Sequence, residues 1–135
     1  MDTALPADRH AIKAAASRAR VSWLDDWVTF AKPELERALS SGLDHLRKLD
    51  DLFNGVRRAD DNKMLAGTAC DFAGGLHNLL SNLVGTARKD ADEHGINVDA
   101  VDLDLSALET ELAKWELRYA SRQASAERWS GRDAA

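Results

Sequence analysis

Four histidines and one cysteine are the residues best suited to chemistry here, and their spacing limits what they can do. His10, His45, His77 and His94 are scattered along the chain. No pair has the i, i+4 spacing, and no Glu-x-x-His occurs, so the usual bundle metal site is not written in the sequence. A metal shared by His45 and His77 on adjacent helices is the one arrangement left, and surface or boundary histidines are the expectation instead. Cys70 stands alone, which excludes a disulfide framework and a cysteine-based zinc site. With no basic neighbour in sequence it reads as a buried structural thiol. Arg88 and His94 make the pair that could catalyse: an imidazole for general acid–base work and a guanidinium to hold developing negative charge.

The run Arg88-Lys89-Asp90-Ala91-Asp92-Glu93-His94 has the Arg-x(4–6)-His form and resembles the motif of HEPN-type ribonucleases, which are small helical bundles. That resemblance implies metal-independent RNA cleavage, with the arginine and histidine assembled across a dimer. Two departures stand out. Lys89 follows the arginine where the family usually has Asn or Asp, and Ile96 lies where an aromatic often follows the histidine. The residues alone give a plainer account: a solvated helix end, with a histidine favourably placed at its C-terminus.

Other side chains point to binding rather than catalysis. Val21, Trp23, Leu24, Trp27 and Val28 put apolar groups on more than one flank of the first helix, whereas a helix with one neighbour needs a single stripe. Tryptophan is favoured as an interface anchor. The expectation is therefore a helix face that docks another protein or a second copy, with acidic residues giving selectivity at the rim. An antitoxin, immunity protein, adaptor or secretion chaperone would all fit, and nothing ranks them. The alternative is that both faces are consumed inside the core. Arg9, Lys13 and Arg20 share one face with no acid among them, which leaves a nucleic-acid-binding subunit as a second alternative. The net charge of −5 argues against it. No cofactor, metal, membrane or small-molecule partner is inferred, and an enzyme is the lesser reading.

These residues need helices to carry them. Only two prolines occur, while alanine and leucine are abundant. A length of 135 residues suits one domain with its own core. Hydrophobic residues at 44% and charged residues at 30% give a globular balance. The first residues, with Asp2, Asp8 and Arg9, lack the apolar core of a signal peptide, so a cytoplasmic setting is expected.

Four helices are expected, at about 6–31, 33–53, 61–94 and 105–129. Lys32-Pro33 separates the first two, either by unwinding or as a kink in one long rod. Asn54-Gly55 stops the second helix, and Gly95 fits the left-handed position after the third. Ile96 to Asp104 alternates apolar and polar residues and is expected to pin its apolar side chains onto the bundle as an extended connector.

The third helix organises the rest. Leu65, Ala69, Phe72, Leu76, Leu79, Leu83 and Ala87 form an apolar seam, and Gly67, Cys70, Gly74, Asn78, Ser81 and Gly85 a mostly small stripe on its other side. Interior glycines cost ~1 kcal/mol each, so neighbours pressing on both edges, or a kink at Gly74-Gly75, should offset them. The fold class expected is an all-α, antiparallel four-helix bundle with a long third helix.

Overall fold

A computed structural model describes residues 5–56 and 58–134, with side chains over 11–56 and 58–122. The side chains of Arg9, His10 and Trp129, and Arg57 as a whole, lie outside the described set. The protein is all-helical, with no strand among the described residues. In chain order it has α1 (Leu5–Asp26), a π turn (Trp27–Ala31), α2 (Lys32–Gly55), α3 (Ala59–Glu93), a 3-10 turn (Val98–Ala100) and α4 (Ser106–Ala134).

Of the two outcomes expected at Lys32-Pro33, unwinding or one long rod, the continuous rod is found, which leaves three helices in place of four. Asp26 and Lys32, which flank the π turn, are both right-handed helical, so α1, the π turn and α2 form one uninterrupted run. The cause is local. Proline has no N–H, and its ring crowds the carbonyl four residues back, here that of Thr29. Widening the turn relieves that crowding, and the Lys32 N–H bonds to the Trp27 carbonyl, five residues back. The insertion also re-aims the helix. Trp27 and Leu35 are eight residues apart, which places them about 80° out of line at 3.6 residues per turn. One extra residue in the turn removes ~100°, so both side chains meet the same core.

Packing divides the chain into two compact units. The first comprises residues 1–36 and 81–103. Its core is Trp27, Val84, Ala91, Ile96 and Val101, with Trp23, Leu24, Leu35, Ala87 and Leu103 packed around it. α3 ends in a Schellman motif. Gly95 takes φ 72°, the Ile96 N–H bonds to the Ala91 carbonyl at 2.9 Å, and the Gly95 N–H bonds to that of Asp92 at 3.0 Å. The motif turns Ile96 back onto Ala91, and both are buried. The connector is anchored at two further points: Arg88 Nε donates to the Val101 carbonyl at 2.8 Å, and Lys32 pairs with Asp102 at 2.9 Å. Ile96 and Val101 are inward, but Val98 sits exposed in the 3-10 turn, so the alternation is used only in part.

The second unit comprises residues 37–80 and 104–135. α2 supplies Leu39, Leu46, Leu49 and Phe53 to its core at three-four spacing. Leu76 lies against Gly42, and His45 meets Phe72 edge-on at 4.6 Å, so α2 and α3 run antiparallel. A methyl placed on Gly67 would meet Tyr119 at 3.1 Å, and one on Gly74 would meet Leu112 at 3.8 Å. His77 faces Glu109 at 3.8 Å. Each step forward along α3 is thus matched by an equal step back along α4, a constant antiparallel register. Asp104 caps α4, accepting from the Ser106 N–H at 3.0 Å and from its hydroxyl at 2.6 Å.

The face that α3 buries differs from the expected seam. Ala66, Ala69, Ala73, Leu80, Val84 and Ala91 are inward at three-four spacing, while Leu79 and Leu83 are 56% and 44% exposed. Small alanines admit close approach without glycine's entropic cost. α3 runs unbroken through Gly74-Gly75, and only some of the glycine edge is covered, since nothing lies within 4 Å of a methyl placed on Gly75 or Gly85. Gly75→Ala and Gly85→Ala should therefore each raise stability by ~0.5–1 kcal/mol in urea denaturation.

One ion cluster braces the second unit. Asp50 accepts from Arg118 and lies 3.5 Å from Lys114. The Arg118 guanidinium in turn covers the rings of Phe53 and Trp115 at 4.5 and 4.7 Å. The Arg118 hydrogen bond, with Lys114 adding its charge, holds the Asp50 carboxyl below the usual carboxylate range despite burial pushing the other way. A carboxyl lowered on folding gives stability that is full above its unfolded pKa of ~3.9 and is lost as pH falls through the folded value. Asp50→Asn should thus destabilise at neutral pH, with the gap from wild type closing below pH ~4 in acid titrations of the unfolding midpoint.

Candidate functional site

The π turn does more than pass a proline. Together with the end of α1 and the start of α2 it forms one wall of an open groove in the first unit, about 1090 Å³ in volume, and α3 forms the other. Trp23, Phe30, Ala31 and Leu35 line the first wall, and Leu83, Thr86 and Ala87 the second. Trp27 is the floor. Only 4% exposed, it stacks on Trp23 with centroids 6.3 Å apart and planes 15° apart. Trp23 is fixed in turn by its Nε1–H, which donates to Asp90 Oδ2 across the groove at 2.6 Å.

The rim is charged and unbalanced. Asp26, Glu34, Asp90 and Glu93 stand there against one cation, Lys89. Phe30, on the first wall, is 65% exposed, and Leu83, on the second, is 44% exposed. Large apolar side chains set in a concave, acid-rimmed surface are the arrangement that receives an amphipathic helix.

Of the five residues expected to bind a partner, Trp23 and Trp27 reach this groove. Trp27 does so as buried support, not as an exposed anchor. Leu24 packs into the core beside them. Val21 and Val28 are 58% and 60% exposed, and Val21 lines a separate shallow depression with Arg18 and Asp25. Phe30, Leu35 and Leu83 complete the groove and were not among the sequence candidates. Pro33 was the available signal for them, because a proline that forces a π turn rotates everything after it.

Arg88 and His94 are occupied separately. Arg88 spends Nε on the connector at Val101, and His94 Nδ1 lies 2.8 Å from the Asp90 carbonyl oxygen. No hydrogen bond or ion pair joins the two among the described residues. His45 and His77 likewise have different neighbours, Phe72 and Glu109, and no group of three or more metal-binding side chains occurs among the described residues. Cys70 is half-buried, and burial, with Glu116 and Asp71 adding their charge, pushes its thiol up, away from the thiolate a nucleophile needs. Of the basic trio, Lys13 is exposed, and Arg20 lies over the Gly95 turn. Among the described residues, no helix is long and apolar enough to cross a membrane.

No family model, curated protein or solved structure matches the chain.

Proposed function

We propose that the chain is a small cytoplasmic protein–protein interaction module that receives the apolar face of a helix in the groove of its first unit. The observation that carries this is the exposure of Phe30 and Leu83 on the two walls of one acid-rimmed concavity. Burying them against a partner returns ~25 cal/mol for each Å² of apolar surface removed from water. Trp27 below, and the Trp23–Asp90 hydrogen bond, keep the walls set before anything binds, which lowers the ordering cost of association. The acids favour partners with Lys or Arg flanking their apolar stripe and speed encounter with them. An antitoxin, immunity protein, adaptor or chaperone would each use such a surface. The test is to titrate a fluorescent Leu/Lys heptad peptide with wild type and with Phe30→Ala, reading anisotropy. Saturable binding lost in the variant supports the reading, and equal binding by both proteins removes it.

A further inference from the structure

The groove has two stations at a fixed spacing. Phe30 follows Trp23 by seven residues on one wall, and Leu83 precedes Asp90 by seven on the other. The walls run antiparallel, because Trp23 bonds to Asp90 at 2.6 Å while Arg20 lies over the Gly95 turn. Equal steps away from the Trp23–Asp90 bond therefore bring Phe30 and Leu83 to one height, about two helical turns or ~10 Å along the groove. That station is apolar and wet. The other is aromatic and acidic. Asp26 stands one turn from Trp23 on α1, and Glu93 one turn from Asp90 on α3. Both are exposed and line the groove, and neither has a hydrogen bond or ion pair among the described residues. The neighbouring bases, Lys89 and Arg20, pair with neither of them. Glu34 is engaged within the chain, and Asp90 holds the indole, so the negative charge left for an occupant lies at the Trp23 end.

We propose that the Trp23 end of the groove takes an arginine of the docked helix, seven residues from the large apolar side chain that meets Phe30 and Leu83. The inference rests on reading the groove as a helix-binding site. Residues seven apart on a helix lie two turns apart on nearly one face, which matches the spacing of the two stations. A cation is drawn to the face of an aromatic ring, and tryptophan holds it best. Arginine suits the place better than lysine, because its guanidinium is planar, weakly hydrated and stacks on aromatic rings. Asp26 and Glu93, one from each wall, supply the opposite charge without giving up a partner inside the chain. The Asp90 hydrogen bond and the stacked Trp27 hold the Trp23 ring in position before the cation arrives, which lowers the cost of binding it.

Three fluorescent alanine-based helical peptides test this by anisotropy with the full chain. The first carries a leucine and an arginine seven residues apart. The second has citrulline for the arginine, which keeps the shape and loses the charge. The third moves the arginine two residues further on, to the opposite face of the helix. Each is made in both sequence orders, because the spacing does not set the direction of the helix. Wild type should bind the first at least ~10-fold more tightly than the other two. D26N/E93Q, which neutralises two exposed side chains, should bind the citrulline peptide as wild type does and lose the preference for arginine. Equal binding of the arginine and citrulline peptides by wild type overturns the proposal. So does a preference that survives D26N/E93Q or follows the arginine to the opposite face. Phe30→Ala shows which reading has failed. If it weakens every peptide while the preference is missing, the groove stands and the arginine station falls, and a wild type that binds none of the peptides removes both.

Discussion

Trp115→Ala should cost ~3–5 kcal/mol of unfolding free energy, the range for removing a large buried aromatic, which lowers the folding equilibrium constant by at least ~100-fold. Trp115 is the largest fully buried side chain described, at 0% exposure. It meets Phe53 edge-on at 5.5 Å and lies under the Arg118 guanidinium. Truncation would open a cavity in the second unit and strip Arg118 of one of the two rings it covers. Trp115→Phe separates packing from polarity. The indole Nε1–H is buried with no acceptor among the described residues, and an unpaired buried donor costs ~1–3 kcal/mol. Losing that donor should offset most of the lost volume, leaving the Phe variant within ~1 kcal/mol of wild type. Urea titrations of the three proteins decide it, and a Phe variant as damaged as the Ala variant would mean the indole N–H has a partner in solution.

Phe30→Ala should leave stability nearly untouched and weaken helix binding by at least ~30-fold, the ~2 kcal/mol expected of an interface hot spot. The two effects separate because the ring packs against little in the free protein, being 65% exposed. Exposed substitutions usually change stability by no more than ~0.5 kcal/mol. Alanine is also a better helix former than phenylalanine, so any stability change should be upward. Anisotropy titration and urea denaturation of the same preparation give both numbers. Binding and stability falling together would mean that Phe30 supports the fold instead of a partner.

Much of this architecture can be read from the residues, and the exceptions have physical causes. The helix stop at Gly95 is legible because only a left-handed residue closes a Schellman turn cheaply, and glycine is the residue there. The three-four rhythm of Leu39, Leu46, Leu49 and Phe53 is legible because nothing else on α2 competes with it. Pro33 was ambiguous because a proline can end a helix or widen one, and the choice is made by Trp27 and Leu35 sharing a core that sequence spacing alone puts about 80° out of line. α3 misled for a different reason. Its leucine stripe and its alanine stripe lie side by side, hydropathy favours the leucines, and close packing favours the alanines. Leu83 was assigned to a buried seam on that basis, when its exposure is what builds the groove. The same error made Trp27 look like an anchor, although an aromatic on a helix with apolar groups on two flanks serves equally well as floor.

Hydrogen exchange with and without the heptad peptide tests the central claim most directly. If the groove of the first unit is the docking surface, amides in two segments should slow on binding, residues 23–35 and 83–93, while those of the second unit keep their rates. Protection confined to other segments, or a bound peptide that slows neither wall, would contradict it.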